Sequence, residues 1–209
     1  MQIDVLPAGP IETNAYLLTS SSGESLLVDA PPDVEGAVRD FLKRRGSNLS
    51  GILVTHGHWD HIGDLGNFRE DDVTIYAHPG DREWIENPGV MAAFMPPGLN
   101  VKPGRVDRWV EDGEVIEAAG VTIEIRHVPG HAPGNILFYF PALGAAFVGD
   151  ALFRGGVGRF DLPGGDWDAL ENSIRKRIYT LSDETAIYSG HGPATTVGVE
   201  KASNPFVRG

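Results

Sequence analysis

The segment Gly51-Ile52-Leu53-Val54-Thr55, which runs straight into His56-Gly57-His58-Trp59-Asp60-His61, constrains the fold more than any other part of the chain. A continuous run of β-type apolar residues is typical of a strand that is buried on both faces. Such strands belong to sheets covered by helices, and α/β proteins place ligands in loops that follow the carboxyl ends of their strands. The segment therefore predicts a buried strand at 51–55 whose following loop carries a functional site.

The rest of the chain alternates short apolar runs with two clear helical patterns. Apolar residues recur at helical spacing between Asp33 and Arg45 and again between Asp166 and Leu181, with basic residues gathered towards the end of each stretch. Short β-type runs lie between and around them, and the turns at 21–24 and 119–120 predict hairpins. Strands and helices follow a similar order in the two halves. We therefore predict an α/β protein with a single domain over residues 1–209.

Composition limits the classes of partner and of metal ligand. The net charge of −12 disfavours nucleic acid and anionic membranes, because both need a basic protein face. The chain has no cysteine, so a metal would bind through imidazole, carboxylate or water. The N-terminal residues lack the basic and apolar regions of a secretory signal, and no apolar run is long enough to span a bilayer. These features predict a soluble cytoplasmic protein that binds neither nucleic acid nor membrane.

Metal-ligating side chains follow several of the predicted strands. The histidine-rich loop offers His56, His58, Asp60 and His61, and three further loops offer His131 in VPGHAPGN, Asp150 in FVGDALF and His191 in SGHGP. Taken alone, each of the last three is more often a structural residue, and the histidine-rich loop could be a polar surface loop. Together they favour metal binding, since loops at one edge of a sheet bring their side chains to a common point. Nitrogen and oxygen ligands suit zinc, manganese or iron.

The order and spacing of THGHWDH, VPGHAPGN, FVGDALF and SGHGP resemble the metallo-β-lactamase superfamily across essentially the whole chain. The segments GDALFRGGVGRFDLPGGD and GHGPATTVGVEKASNPF resemble its glyoxalase II-like branch. The resemblance implies a four-layer αββα sandwich, in which two mixed β-sheets pack face to face. It also implies two divalent metal ions, with zinc as the first expectation and iron or manganese as alternatives. One ion would be held by His56, His58 and His131 and the other by Asp60, His61 and His191, with Asp150 bridging the two.

The same resemblance implies a hydrolase that attacks a carbonyl with a metal-bridging hydroxide, which Asp60 would help to orient as the catalytic carboxylate. A thioester such as S-2-hydroxyacyl-glutathione is the expected substrate, because a thiolate leaving group needs little protonation and the sequence shows no separate general acid. Arg159 is the candidate for binding a substrate carboxylate, and a salt bridge to Asp161 is its alternative role.

Two departures from the glutathione-using members affect substrate recognition. Those members carry a lysine and, two residues later, a tyrosine, where this chain has Arg159 and Asp161. The given sequence ends with NPFVRG. We therefore expect no C-terminal helical glutathione-binding domain and weak binding of glutathione.

The remaining histidines and one long segment have less specific interpretations. We interpret His78 and His127 as structural residues. Residues 87–107 are rich in proline and glycine and contain Met91, Phe94 and Met95. They predict a long loop, which is either a lid with an adaptable apolar wall or, slightly favoured, a loop packed onto its own core.

Other functions compete with the thioester hydrolase. A persulfide dioxygenase of the same superfamily would hold a single iron with His56, His131 and Asp150. A non-enzymatic metal-binding protein is the second alternative, but it leaves the open coordination positions without a use. The absence of an export signal disfavours a β-lactamase, and the negative charge disfavours a nuclease.

Overall fold

The computed structural model describes the chain from Met1 to Gly209. The first half forms a six-stranded mixed sheet, sheet A, with the strands in the order β1-β2-β3-β4-β5-β6. Its strands are β1 (Gln2–Ala8), β2 (Thr13–Thr19), β3 (Glu24–Val28), β4 (Asn48–Leu53), β5 (Thr74–Ala77) and β6 (Arg108–Trp109). The first three strands pair antiparallel, and β3 to β6 pair parallel.

The second half forms sheet B, also six-stranded and mixed, in the order β14-β13-β10-β9-β8-β7. The strands of this half are β7 (Val115–Ala118), β8 (Val121–His127), β9 (Ile136–Phe140), β10 (Ala145–Gly149), β11 (Leu152–Phe153), β12 (Gly156–Val157), β13 (Ala186–Ser189) and β14 (Thr195–Thr196). β10 and β13 pair parallel, whereas the other neighbours in the sheet pair antiparallel. β11 and β12 form a separate two-stranded ribbon.

Short helices connect and cover the sheets. The α-helices are α1 (Glu35–Arg45), α2 (Trp59–Ile62), α3 (Arg82–Glu86), α4 (Trp167–Ser173) and α5 (Val197–Ser203). Turns of 3₁₀-helix span Leu65–Phe68, Pro79–Asp81, Pro88–Phe94 and Pro141–Leu143, and a π-helical turn, Ile174–Ile178, continues α4. None of these helices has the length and apolar character that crossing a membrane would require.

Alternating side chains in the strands give the molecule its four layers. On sheet A, Leu17 and Ile52 face the cluster that also contains Val38 of α1, whereas Leu18 and Leu53 face a central cluster. The central cluster joins the two sheets, because it includes residues of β7 to β10. The outer face of sheet B packs against α4, the π-turn and α5. The order helix, sheet, sheet, helix confirms the predicted αββα sandwich.

Several elements differ from the sequence prediction in their bounds. The strand predicted at 51–55 runs from Asn48 to Leu53, so Thr55 already belongs to the following loop. The helix predicted from Asp166 to Leu181 is α-helical only to Ser173, and its remainder is π-helical to Ile178. Asp166 caps α4 from outside, since its Oδ1 accepts the Ala169 N–H at 2.8 Å. The long loop at 87–107 contains the 3₁₀ turn at its start.

Candidate metal centre

The candidate site lies where loops from both sheets meet. The loop after β4, with α2, carries the histidine-rich motif, whereas the loops after β8, β10 and β13 carry the other ligand candidates. Contacts between the halves fix this junction. Asn14 of β2 donates its backbone N–H to the Gly190 carbonyl at 2.7 Å, and Tyr16 of the same strand donates its hydroxyl to the Ser189 carbonyl at 2.5 Å. A strand of sheet A therefore holds the loop of sheet B that carries His191.

The structure brings all seven predicted ligand side chains together. Their donor atoms form three overlapping groups, and within each group the atoms lie within 4.8 Å of one another. The groups are His56, His58 and His131; His56, His61 and Asp150; and Asp60, His61 and His191. We call the first group the histidine cluster and the third the mixed cluster.

The histidine cluster directs bare imidazole nitrogens at one point. His56 Nε2 lies 3.1 Å from His58 Nδ1 and 3.2 Å from His131 Nε2. His131 Nδ1 donates to the Arg159 carbonyl at 2.7 Å, which leaves its Nε2 unprotonated. His56 Nδ1 donates to Thr55 Oγ1 at 3.1 Å, because that hydroxyl gives its own proton to Asp29 Oδ2. At least two lone pairs therefore converge where a cation would relieve their repulsion.

The mixed cluster adds carboxylates to the same junction. Asp60 Oδ2 lies 3.3 Å from both His61 Nε2 and His191 Nε2. Asp150 reaches both clusters, since its Oδ1 lies 3.3 Å from His61 Nε2 and its Oδ2 lies 3.7 Å from His131 Nε2. Asp150 thus lies between the two clusters, where its carboxylate would be able to bridge two metal ions.

Buried polar atoms show that these residues fit a metal. His61 Nδ1 faces Asp29 Oδ2 at 2.7 Å, and His61 Nε2 and Asp150 Oδ1 are both buried without a hydrogen-bond partner. Burial lowers the pKa of His61, but the carboxylates of Asp60, Asp150 and Asp29 outweigh it and raise that pKa well above the usual value. The three carboxylates therefore stabilise a positive charge beside His61, and a divalent cation would supply that charge.

Three polar residues that carry no sequence prediction support the ligands. Asp29 directly follows β3, and its Oδ1 accepts the Thr55 N–H at 2.7 Å while its Oδ2 faces His61. Asp29 has a left-handed backbone with φ of 59°, which non-glycine residues adopt rarely. Thr13 donates its hydroxyl to Asp60 Oδ2 at 2.9 Å. Asp29 lies directly after a strand, as the candidate ligands lie in loops after strands, so the same reasoning could have identified it. Thr13 has no such sequence signal.

Asp81 is the third supporting residue, and it joins two ligand loops. It is 1% exposed, and its two oxygens accept the backbone N–H groups of Gly57 at 2.8 Å and Gly134 at 2.6 Å. Gly57 lies in the histidine-rich loop and Gly134 in the loop that carries His131. Burial raises the pKa of Asp81 to about 6, although both hydrogen bonds act to lower it.

Gly190 shows how closely the backbone approaches the ligands. A Cβ atom at this position would lie 2.1 Å from Asp150 Oδ1 and 2.4 Å from His61 Cε1. Only glycine avoids these clashes, which gives the glycine before His191 a steric reason.

The other predicted residues lie at or beyond the edge of the site. Arg159 lines the pocket above the ligands, but its side chain is 66% exposed and its Nε and Nη2 pair with Asp161 at 2.9 and 3.0 Å. The salt bridge predicted as its alternative role is therefore present. His78 and His127 stack on each other with ring centroids 4.1 Å apart, and His127 Nε2 lies 2.8 Å from the Pro133 carbonyl. They are not part of either cluster.

An open pocket of about 400 Å³ lies directly above the two clusters. His58, Asp60, His131, Asp150 and His191 form its floor. A substrate can therefore reach the side chains that would hold the metals. Fold and site together define a metal-dependent hydrolase.

The chain belongs to the metallo-β-lactamase superfamily, whose family model matches residues 8–191. The Bacillus subtilis (strain 168) protein named "Probable metallo-hydrolase YqgX" is 36% identical over 206 residues, which cover 98% of this chain and 96% of that protein. The protein of Haemophilus influenzae named "Hydroxyacylglutathione hydrolase GloC" is 35% identical over 220 residues, covering 99% and 98%.

Two solved structures are similar over nearly the full length. One is described as BLEG-1 B3 metallo-β-lactamase, with a TM-score of 0.93, 35% identity and complete coverage of both chains. The other is TTHA1623 in a di-iron-bound form, with a TM-score of 0.86 and 36% identity, covering 98% of this chain and 100% of that one. The second structure shows that a similar protein holds two metal ions.

Proposed function

We propose that the chain is a thioester hydrolase that uses two divalent metal ions, with S-2-hydroxyacyl-glutathione as the first substrate to test. The observation that carries the proposal is the arrangement of two ligand clusters around Asp150 on the floor of an open pocket. The similarity to the Haemophilus influenzae protein supports the choice of substrate. Ions bound there would lower the pKa of a shared water and polarise the substrate carbonyl.

The chain's own residues hold and orient the groups that this reaction needs. Thr13 donates a hydrogen bond to Asp60 Oδ2 and so holds in place this carboxylate, which lines the pocket. Asp60 would accept a hydrogen bond from the attacking water or hydroxide and so orient it. No other acid on the pocket floor stands apart from the clusters, and a thiolate leaving group needs none, because thiols have a pKa of about 8.5.

Zinc remains our first expectation for the metal, and iron is the main alternative. The imidazole and carboxylate donors suit zinc, iron and manganese alike. The di-iron form of TTHA1623 makes iron a specific candidate. Metal analysis of protein purified without added metal would decide between them.

Two other activities need to be tested alongside thioester hydrolysis. The similarity to BLEG-1 at 35% identity favours including a β-lactam. The persulfide dioxygenase alternative would need only His56, His131 and Asp150, and the remaining ligand candidates can be present without holding a metal, so metal content and oxygen uptake discriminate between the two activities. A non-enzymatic metal-binding protein would not need an open pocket above the ligands.

The decisive experiment combines metal content with a substrate panel. Protein of known metal content would be assayed on S-lactoylglutathione, on a chromogenic cephalosporin, and for oxygen uptake with glutathione persulfide. We expect about two metal ions per chain and the highest kcat/KM on the thioester. Fast oxygen uptake by iron-loaded protein with negligible thioester cleavage would overturn the proposal in favour of the dioxygenase. A fully metal-loaded protein without any turnover would support the non-enzymatic alternative.

A further inference from the structure

The pocket above the metal centre is lined mainly by apolar side chains. Apart from the metal-ligand candidates on its floor, Arg159 is the only polar residue in its lining. Trp84, Met91 and Phe94 contribute from α3 and the 3₁₀ turn after it, and Phe153 contributes from the β11–β12 ribbon. A cavity of about 400 Å³ falls within the range of small-molecule sites, roughly 300–1,000 Å³.

The apolar lining begins at the ligands themselves. The Trp84 ring stacks on the His58 ring, with centroids 5.1 Å apart and planes 16° apart. On the other side, Phe153 meets His191 edge to face, with centroids 6.0 Å apart. Groups attached directly to a carbonyl that reacts at the metal centre would therefore touch apolar surface.

The same lining continues outward to the mouth of the pocket. Ile11 and Phe94 are each 49% exposed, and Val90 is 47% exposed. A cluster of exposed apolar side chains around a cavity is a feature of binding sites, because it gains free energy only when it is covered. A substituent that is longer than the pocket floor would continue to find apolar contacts.

Charged substrate groups find little to bind in this pocket. Arg159 is the only cationic side chain in the lining, and Asp161 already occupies its Nε and Nη2. Glutathione carries two carboxylates and one ammonium group, so its recognition would call for unpaired charges. The lining offers none apart from the metal-binding residues.

We propose that the pocket selects thioesters by a bulky, apolar acyl group rather than by the thiol that carries it. This inference rests on the proposed thioester hydrolysis and specifies its substrate. The acyl chain lies between Trp84 on one side and Phe153 on the other, and Phe94 covers its outer end. A lactoyl group is small and polar and would use few of these contacts, so thioesters with longer apolar acyl groups should be cleaved faster than S-lactoylglutathione.

The first test varies acyl chain and thiol independently. Acetyl, butanoyl and hexanoyl thioesters would be prepared on both glutathione and N-acetylcysteamine, which carries no charge. Each buried methylene group is worth about 0.8 kcal/mol, so we expect kcat/KM to rise about fourfold per added methylene. Changing the thiol at constant acyl group should change kcat/KM less than about threefold, since its charges meet no unpaired partner.

A second test measures binding without turnover. Butanoate, hexanoate and octanoate would be titrated into the metal-loaded protein by calorimetry. The Kd should fall about fourfold per methylene group, by the same contact energy. This measurement distinguishes the proposed acyl site from the proposed hydrolysis. Binding that depends on chain length, without cleavage of any thioester, would support the apolar acyl site and contradict the thioester hydrolase. If thioesters of all acyl lengths were cleaved equally fast and the carboxylates had equal Kd values, the proposed apolar acyl site would be wrong while the proposed hydrolysis would stand.

A matched pair of variants locates the effect. Phe94→Ala should reduce the ratio of hexanoyl to acetyl kcat/KM by about fivefold or more, since it removes a ring from the outer pocket. Phe206→Ala removes a ring that is similarly exposed, at 56%, but lies outside the pocket lining, and should leave the ratio unchanged. An unchanged ratio in Phe94→Ala, or a glutathione thioester preferred a hundredfold over the same acyl group on N-acetylcysteamine, would contradict the proposal.

Discussion

The histidine cluster and the mixed cluster lie side by side, but their imidazole pKa values are shifted in opposite directions. Burial, followed by the charge of neighbouring histidines, lowers the pKa of His58 to about 3 and that of His56 well below its usual value. In the mixed cluster, burial opposes charge on His191, yet its hydrogen bonds with Asp150 and Asp60 raise its pKa to about 9. At neutral pH the first cluster is therefore ready to bind a cation, whereas the second must release protons to do so.

The difference shows that residue type alone does not set the behaviour of a ligand. Both clusters use imidazoles, and both take residues from the segment after β4. They differ in the number of carboxylates that face the imidazoles, which is why His56 and His61 have pKa values displaced in opposite directions although both are fully buried. The four predictions that follow test this contrast, from the largest expected effect to the smallest.

Removing the Asp150 carboxylate should impair both clusters, because its oxygens lie near histidines of each. We expect Asp150→Ala to lower kcat/KM at least about a thousandfold, since it removes several kcal/mol of charge stabilisation around two cations. Metal analysis should show fewer than two ions per chain. Asp40→Ala, at an exposed position on α1, serves as the control and should change neither quantity. Full occupancy by two metals in Asp150→Ala would contradict a bridging role.

Lowering the pH should release metal from the mixed cluster first. The pKa of His191 lies at about 9, so protons compete with the metal at every pH below that value. The apparent affinity of this cluster should fall about tenfold per pH unit for each displaced proton, whereas His58 begins to compete only near pH 3. Titrating metal into metal-free protein in the presence of a competing chelator, at several pH values between 8 and 5, would measure both affinities. If both clusters lost metal affinity equally as the pH fell, the proposed electrostatic difference between them would be wrong.

Thr13→Val should weaken the mixed cluster alone. The substitution keeps the side-chain shape but removes the hydroxyl that donates to Asp60. Loss of such a supporting hydrogen bond costs about 10- to 100-fold in metal affinity. The measurement is the stoichiometry and affinity of each site by calorimetry. Thr122→Val, which removes an exposed hydroxyl bonded to Glu117, should change neither site. Equal weakening of both clusters would show that Thr13 acts on the whole fold.

Arg159→Ala should have the smallest effect and should leave both clusters intact. The contact with His131 comes from the Arg159 carbonyl, which the substitution preserves. We expect KM for a glutathione thioester to rise by less than about threefold and kcat to fall less than that, because Asp161 already pairs with the guanidinium and an exposed ion pair is worth at most about 1 kcal/mol. Metal content should match that of the unmodified protein. A larger loss in kcat than in KM would mean that Arg159 acts on the reaction itself.

The sequence predicts which candidate ligands gather at the site better than it predicts the residues that support them. All seven ligand candidates lie in segments that follow predicted strands, and strands that end at one edge of a sheet bring such segments together, so position along the chain is informative. Asp29 obeys the same rule, but a lone aspartate after a strand is equally typical of a turn. Thr13 and Asp60 are 47 residues apart, and a polar pair of this kind leaves no local pattern.

The pocket wall was less predictable than its floor for a similar reason. Residues 87–107 showed only that a long loop with methionine and phenylalanine is present. The side on which Phe94 lies depends on how the 3₁₀ turn continues from α3, and that is a matter of tertiary packing. The π-helical turn after α4 was also unpredictable, because the apolar spacing between Trp167 and Leu181 is compatible with an unbroken helix.

The contact of β2 with the loop that carries His191 has a consequence for how the protein folds. Each cluster takes ligands from both sheets, so neither can capture a metal ion until the two halves have docked. A ligand that binds only the native state shifts the folding equilibrium by mass action. Metal ions would therefore act late, after the chain has found its topology, and would slow its unfolding rather than guide its collapse.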